Sequence, residues 1–121
     1  MIIYVVDDHE MMRDATVIVV GRMNKDAAVK AFSTFEQFIS TVDQFGQPDL
    51  LVLDLTLPNI KEYEGVRTAR ERCPDSKIAI YSAYPAEDRA RQSLASGADV
   101  YIEKGKGLQN FRESLRGLMM D

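Results

Sequence analysis

The stretch "LVLDLTLPNI", residues 51–60, decides the fold, because a run of apolar residues ends in it on a single carboxylate. Leu50 to Leu53 form the most continuous apolar run among the strand-like segments, which is typical of a strand buried on both faces of a sheet. Asp54 follows that run directly. Asp54 taken alone is either a turn or cap residue, or an acid held at the edge of a sheet for chemistry. The segments on either side of this stretch distinguish these two interpretations of Asp54.

Short apolar runs alternate with helical patterns along the rest of the chain. Strands are predicted at residues 2–6, 27–32, 50–53, 77–82 and 98–102, with a helix after each, two of them bounded as 10–22 and 62–73. Alternating units of this kind predict a parallel sheet with helices on both faces. The first and third strands are the most uniformly apolar, so they are expected in the centre, with the second and fifth at the edges. This is compatible with the flavodoxin-like order 2-1-3-4-5, although the pattern does not fix that order.

Capping signals and apolar spacing predict the ends and the inward faces of the helices. Ser33 is predicted as the N-cap of the second helix, in a capping box with Glu36, and Gly46 ends that helix. Pro85 is predicted at the first position of the fourth helix, which Gly97 ends. The residues at helical spacing are Met11, Ala15 and Ile18; Phe35, Phe38, Val42 and Phe45; Tyr63, Val66, Ala69 and Cys73; and Leu108, Phe111, Leu115 and Leu118.

Length and composition exclude several classes of protein. The 121 residues suit one domain, spanning residues 1–121. No apolar run of about 18 residues occurs, so no membrane span is predicted, and the N-terminus lacks the features of a signal peptide. Cys73 is the only cysteine, which excludes an internal disulfide and suits a reducing cytosol, so a cytoplasmic location is expected. A net charge of −4 without a basic block argues against direct binding of nucleic acid.

Polar residues stand at the carboxyl ends of the predicted strands, where function sits in sheets of this kind. Asp7 and Asp8 follow the first strand and Asp54 follows the third, while Ser82 ends the fourth and Lys104 lies at the end of the fifth. If the first, third and fourth strands are neighbours, these side chains converge on one pocket.

Carboxylates that converge in this way repel one another. Two like charges about 4 Å apart cost on the order of 4 kcal/mol at an effective dielectric constant of about 20, and a hard divalent cation offsets that cost. Mg²⁺ and the Lys104 ammonium would neutralise the pocket and allow Asp54 to act as a nucleophile towards phosphorus, giving an aspartyl phosphate. The Ser82 hydroxyl can donate a hydrogen bond to a phosphoryl oxygen.

The whole chain resembles the receiver domain of bacterial two-component response regulators. The residues that carry the resemblance are Asp7-Asp8, Asp54 in "VLDLTLP", Ser82-Ala83, Tyr101 and Lys104. The "DDH" at residues 7–9 is most similar to regulators with a LuxR-type helix-turn-helix output. The resemblance implies a flavodoxin-like (βα)5 three-layer α/β sandwich, with a parallel five-stranded sheet of order 2-1-3-4-5.

The resemblance also implies roles for the residues of the pocket. Asp54 would accept a phosphoryl group from a sensor histidine kinase, and Lys104 would contact that group. Mg²⁺ would be held by Asp8, by Asp7 partly through water, by Asp54 and by the backbone carbonyl of Thr56. The chain would catalyse only its own phosphorylation and dephosphorylation, so it would not be an enzyme with a metabolite as substrate.

The resemblance further implies a switch and its partners. On phosphorylation, Ser82 would move towards the phosphoryl group and Tyr101 would turn inward behind it. The surface of helix four, strand five and helix five would then tune dimerisation or docking of an output domain, with helix one as a further exposed face. An output domain outside this sequence would regulate transcription.

Two features depart from the family pattern. Gly105 stands where the family usually has a proline after a cis peptide, and a cis bond without proline costs about 3–4 kcal/mol, so a trans peptide is expected after Lys104. The family often has a glycine about eight residues past its phosphoacceptor, whereas Gly65 lies eleven residues past Asp54. The 56–65 loop is therefore expected to be about three residues longer than usual. It would alter kinase docking or access to Asp54, or be a tolerated surface insertion.

Other interpretations of these residues stay open. A degenerate receiver would keep the fold as an interaction module without phosphorylation. A haloacid-dehalogenase-like phosphatase also uses a strand-end aspartate and Mg²⁺, but it needs a second aspartate where this chain has Thr56. His9 is expected to be an exposed loop residue and not a base. An aromatic residue on an edge strand, such as Tyr101, is explained equally well by packing.

Overall fold

A computed structural model of the chain describes residues 1–120. The strands are β1 (Ile2–Val6), β2 (Ala28–Phe32), β3 (Leu50–Leu53), β4 (Lys77–Ser82) and β5 (Val100–Glu103). The helices are α1 (Glu10–Met23), α2 (Phe35–Phe45), α3 (Glu62–Arg72), α4 (Ala86–Ala95) and α5 (Gly107–Met119), and a short 3-10 helix (Lys104–Lys106) precedes α5. Within the described residues, none of these helices has the length and apolar character to cross a membrane.

The strands form a parallel sheet in the order β2-β1-β3-β4-β5, which confirms the predicted topology. Side chains alternate between its faces, so the sheet carries two separate cores. One core contains Tyr4, Leu51, Leu53, Ile78 and Ile80 from the strands, with Phe38 from α2 and Val66 from α3. The other contains Ile3, Val5, Val52, Tyr81 and Ile102 from the strands, with Val20 from α1 and Phe111 and Leu115 from α5. The architecture is therefore a three-layer sandwich, with α1 and α5 on one face and α2 and α3 on the other.

The register of the sheet brings the ends of β1 and β3 side by side. Val6 pairs with Leu53 in the parallel ladder. The ladder continues one step further, because the backbone N–H of Asp54 donates to the carbonyl of Val6 at 3.0 Å. Asp7, the next residue after Val6, therefore begins its loop beside Asp54.

The buried face of α1 differs from the predicted one. Met11 is 87% exposed and Ile18 is 53% exposed, whereas Thr16 and Val20 face the core. The Thr16 hydroxyl is satisfied inside the helix, donating to the Met12 carbonyl at 2.7 Å. The helix is apolar around much of its circumference, so more than one set of residues satisfies helical spacing. The set that is buried contains Thr16 and Val20 and not Met11 and Ile18.

The N-terminus of α2 is shifted by one residue from the prediction. Thr34, and not Ser33, is the N-cap, and its hydroxyl accepts the backbone N–H of Gln37 at 3.2 Å. The Ser33 hydroxyl instead donates to the Gln37 side chain at 3.3 Å. The start of α4 shows a similar shift, because Pro85 is its N-cap and not its first helical residue. Neighbouring residues fit the same pattern for the start of a helix, and the conformation of the backbone determines which of them is the N-cap.

Two further residues predicted on inward faces are exposed, namely Phe45 (65%) and Leu108 (45%). Phe45 is the last residue of α2, and Leu108 is the second residue of α5, so each lies in a terminal turn of its helix. The Phe45 ring makes a cation–π contact with Lys30, whose Nζ lies 4.7 Å from the ring centroid. Helical spacing identifies the face of a helix but not how far along the helix that face is buried.

Arg70 links the segments that lead into β4 and β5, at the amino ends of the strands. Its guanidinium donates to the Gly97 carbonyl at 2.8 Å, to the Cys73 carbonyl at 3.2 Å and to the Asp99 carboxylate at 2.7 Å. The Asp99 carboxylate also accepts the N–H of Ile78. Asp99 lies just before β5, which spans Val100–Glu103 and not the predicted 98–102. Gly97 follows Ser96, the C-cap of α4, and its φ of +126° confirms the predicted role of this glycine in stopping the helix. The Cys73 side chain is fully buried, and burial raises the pKa of its thiol.

We expect Phe38→Ala to lower the free energy of unfolding by about 3–5 kcal/mol, because it leaves a cavity in a core that excludes water. Phe45→Ala is the matched control from the same helix, and because Phe45 is exposed it should cost no more than about 1 kcal/mol. Urea unfolding followed by circular dichroism measures both. Similar losses in the two variants would show that the burial assigned to α2 is wrong.

Candidate functional site

Acidic side chains meet at the carboxyl ends of β1 and β3, as predicted. Oxygen atoms of Asp7, Asp8 and Asp54 and a ring nitrogen of His9 all lie within 4.8 Å of one another. Asp7 and Asp54 are each only 3% exposed. A group of carboxylates with so little contact with water requires a positive charge nearby.

Lys104 supplies part of that positive charge. Its Nζ lies 2.9 Å from Asp7 Oδ2 and 3.4 Å from Asp54 Oδ2, and its side chain is 10% exposed. No cis peptide bond occurs in residues 1–120, so the bond from Lys104 to Gly105 is trans, as predicted. Gly105 lies in the short 3-10 helix that follows β5. The departure from the family pattern at Gly105 therefore leaves Lys104 within reach of both carboxylates.

Burial and neighbouring charges shift the pKa values of two groups in the site. Burial raises the pKa of Asp54, and the Asp7 charge adds to this, while Lys104 opposes it without cancelling it. For Lys104, burial acts to lower the pKa, but the hydrogen bond to Asp7 and the charge of Asp54 outweigh it and raise the pKa. Lys104 therefore stays charged beside the Asp7 and Asp54 carboxyl groups.

Local hydrogen bonds fix how Asp7 and Asp54 point. Asp7 Oδ1 accepts the backbone N–H of His9 at 2.9 Å, which turns the chain into α1, and Arg13 donates to the Asp7 carbonyl at 2.9 Å. Asp54 Oδ1 accepts the backbone N–H of Thr56 at 3.2 Å. The second oxygen of each carboxylate, Oδ2, is the one that faces Lys104.

His9 belongs to the site, which the sequence interpretation missed. Its side chain is 67% exposed, as expected for a loop residue. Its Nδ1, however, lies 3.3 Å from Asp7 Oδ1, 3.3 Å from Asp8 Oδ1 and 3.9 Å from Asp54 Oδ2. The signal that could have identified it is its position directly after two acids at a strand end.

The donor set fits a hard divalent cation. The cluster offers carboxylate oxygens, the ligands that Mg²⁺ prefers. Asp8 Oδ1 is buried and accepts no hydrogen bond from any residue within 1–120, although His9 Nδ1 lies near it. A buried acceptor without a donor is costly, and a metal ion would satisfy it. Asp7, Asp8 and Asp54 could therefore hold such an ion.

Ser82 and Tyr101 lie in an adjoining group and not in the acidic cluster. Ser82 is fully buried, and its Oγ accepts the backbone N–H of Tyr84 at 3.2 Å. The Tyr101 hydroxyl donates to the carbonyl of the same Tyr84 at 2.8 Å. Among the described residues no hydrogen bond joins Ser82 to Asp54. Both predicted switch residues are thus anchored on the loop between β4 and α4.

The segment after Asp54 is ordered by packing. Asn59 has a positive φ of 68°, and Ile60 is partly buried against the first core. Gly65 lies in α3, where an added Cβ would meet the Ile60 side chain at 3.7 Å. The chain therefore takes a defined path between Asp54 and Glu62.

Comparison with known sequences gives one family. The sequence model described as the response regulator receiver domain matches residues 3–116. The response regulator protein VraR of Staphylococcus saprophyticus is 27% identical, with 92% of this chain and 53% of that protein covered. The nitrate/nitrite response regulator protein NarL of Escherichia coli is 29% identical, with 84% of this chain and 47% of that protein covered. The chain spans about half the length of the curated relatives it matches.

Solved structures agree with this result. The BeF3-activated DrrB receiver domain covers 99% of this chain, with 97% of its own chain covered, at a TM-score of 0.83 and 22% identity, a likeness of fold. A LuxR family response regulator from Aurantimonas covers 85% of this chain, with 73% of its own chain covered, at a TM-score of 0.74 and 27% identity. The second match agrees with the resemblance of "DDH" to the LuxR-type group.

We expect Lys104→Met to lower the free energy of unfolding at pH 7 in EDTA by about 2–5 kcal/mol, because it leaves two buried carboxylates without their cation. Lys106→Met removes a nearby lysine that is 63% exposed, and the expected loss is below about 1 kcal/mol. Urea unfolding of both variants makes the comparison. Equal stability of the two variants would contradict the geometry of the site.

Proposed function

The chain belongs to the response regulator receiver domain family, and from this premise we propose that Asp54 accepts a phosphoryl group from a sensor histidine kinase in the cytoplasm. The observation that carries the proposal is the contact of buried Asp54 with Lys104 inside a cluster of acids. We extend the receiver assignment to residues 1–121. The chain would act on itself, forming and losing the phosphoryl group, and would turn over no metabolite.

Mg²⁺ would be held by Asp8, by Asp54, by Asp7 partly through water and by the backbone carbonyl of Thr56. When bound, the ion supplies positive charge that offsets the carboxylates and the incoming phosphoryl group. The buried Asp8 Oδ1, which lacks a hydrogen bond within the described part of the chain, supports this assignment.

The chain's own residues would carry the transfer in one displacement. A carboxylate oxygen of Asp54 forms the new bond to phosphorus as the bond from phosphorus to the donor group breaks, and the donor leaves with that electron pair. The Thr56 N–H holds Asp54 Oδ1, which fixes the orientation of the carboxylate. The Lys104 ammonium is close enough to Asp54 to stabilise negative charge on the phosphoryl oxygens.

Ser82 and Tyr101 would convert the modification into a change of surface. If the Ser82 hydroxyl moves to the phosphoryl group, it releases the N–H of Tyr84, whose carbonyl is the acceptor for Tyr101. The shift would favour one of two arrangements of α4, β5 and α5, with α1 as a further docking face. Several relatives are named as transcriptional regulators, so an output domain outside this sequence would regulate transcription, either directly or through a homodimer.

One observation favours a second candidate, the degenerate receiver. The 55–61 segment, which directly follows Asp54, is packed against the first core through Ile60 and would restrict a kinase more than a short loop does. The haloacid-dehalogenase-like phosphatase ranks below both, because Thr56 takes the place of the second aspartate.

Incubation with Mg²⁺ and acetyl phosphate should add one labile phosphoryl group, seen by intact-mass spectrometry. Asp54→Asn should abolish the adduct, because an amide is not a nucleophile of this kind. Asp14→Asn, at an exposed position of α1, is the matched control and should keep the adduct. Absence of the adduct in the native protein would favour the degenerate receiver. Release of many equivalents of phosphate from an ester would favour the phosphatase.

Mg²⁺ should raise the melting temperature of the native protein, because it binds the folded state and relieves repulsion among the acids. At about 100 times its Kd the stabilisation is about 2.7 kcal/mol. Asp8→Asn should remove most of this effect, while Asp14→Asn should retain it. Differential scanning calorimetry with Mg²⁺ and with EDTA measures the difference. An equal response of the Asp8→Asn variant would place the ion elsewhere.

A further inference from the structure

An ion pair joins the first residue of α3 to the first turn of α4. Arg89 Nη1 donates to both carboxylate oxygens of Glu62, at 2.6 and 2.8 Å. The Arg89 side chain is 26% exposed and that of Glu62 is 31% exposed. At this exposure solvent screens the pair in part, so its strength rests on the two-oxygen geometry, which holds the guanidinium in one orientation.

Tyr84 contacts the same guanidinium group of Arg89. The guanidinium carbon of Arg89 lies 4.0 Å from the centroid of the Tyr84 ring, in a cation–π contact. Tyr84 belongs to the loop between β4 and α4. Arg89 therefore connects that loop to the start of α3.

The backbone of Tyr84 holds the two residues of the proposed switch. Its N–H donates to Ser82 Oγ, and its carbonyl accepts the hydroxyl of Tyr101. Two residues further on, the N–H of Ala86 donates to the Glu103 carboxylate, which ties the start of α4 to β5. A displacement of the Tyr84 ring thus reaches Ser82 and Tyr101 through direct contacts.

Glu62 in turn marks the end of the segment that follows Asp54. Residues 55–61 connect the two, and Ile60 packs this segment against the first core. The path of the segment is therefore anchored at Asp54, at Ile60 and, through Glu62, at α4.

We propose that the Glu62–Arg89 pair is a latch between the segment after Asp54 and the β4–α4 loop, and that it sets how strongly the two move together. With the latch closed, Tyr84 is held and the hydroxyls of Ser82 and Tyr101 stay on its backbone. With the latch open, that loop is released whether or not Asp54 is modified. Glu62 and Arg89 are positioning residues, because neither contacts Asp54. The effect on phosphoryl transfer rests on the proposed function, whereas the link between the loops does not.

Amide hydrogen exchange measured by NMR, without Mg²⁺ or phosphodonor, tests the link. Glu62→Gln keeps the size of the side chain and removes its charge, so the amides of Tyr84 and Ala86 should exchange roughly 3- to 10-fold faster, through local opening of the loop. Arg89→Gln should give the same result. The double variant Glu62→Gln with Arg89→Gln should exchange no faster than Arg89→Gln alone, because Glu62 acts on the loop only through Arg89.

Asp43→Asn is the matched control. It breaks a different ion pair, in which Asp43 of α2 contacts Arg72 of α3 at 2.5 Å. The side chains of this pair are more exposed than those of Glu62 and Arg89. This variant should leave exchange at Tyr84 and Ala86 unchanged. Unchanged exchange in both Glu62→Gln and Arg89→Gln would overturn the latch, and so would equal changes in the Asp43→Asn variant. Circular dichroism of every variant confirms that the exchange reports local opening of a folded chain.

The rate of adduct formation with acetyl phosphate and Mg²⁺ tests the coupling to Asp54. The rate of adduct formation in Glu62→Gln should differ at least threefold from that in Asp43→Asn, because the segment after Asp54 is no longer fixed to α4. An equal rate, with altered exchange at Tyr84, would overturn the coupling. Absence of any adduct in the native protein would overturn the proposed function and with it the coupling, while the exchange result would still decide the link between the loops.

Discussion

Repulsion between Asp7 and Asp54 is the constraint on which the rest of the site depends. Both carboxylates are almost completely buried at the ends of adjacent strands, where the register of the sheet gives them no freedom to separate. Lys104 offsets part of this repulsion, because its ammonium group contacts both carboxylates. A divalent cation with oxygen ligands would offset the remaining repulsion, so the cost of placing acids together is also what suits the cluster to hold such an ion.

The parallel sheet was predictable because the strands obey a simple rule, whereas the order of its strands was implied by the resemblance to receiver domains. Residues such as Leu51 and Val52 are buried on opposite faces, so a short run that is apolar at every position indicates a strand covered on both sides. The convergence of Asp7 and Asp54 then followed from topology, since parallel strands end at a common edge. Neither inference required knowledge of side-chain packing.

Other features could not be predicted because they depend on where the chain goes in three dimensions. The spacing in α1 allowed either Met11 and Ile18 or Thr16 and Val20 to face inward, and hydrophobicity alone favoured the wrong pair. Phe45 has the correct angular position on its helix but lies in the exposed last turn of α2. The nitrogen of His9 faces the acids only because Asp7 turns the backbone at that point. In each case the missing information is the position of a neighbouring element.

The fully buried thiol of Cys73 has a practical consequence for watching this molecule at work. It is the only cysteine in the chain, and burial disfavours the thiolate that alkylating reagents attack. A second cysteine placed on an exposed loop would therefore be the reactive one, and a fluorophore or spin label could be attached there without removing the native residue. The sequence thus provides a chemically silent background on which motions of individual loops can be followed by spectroscopy.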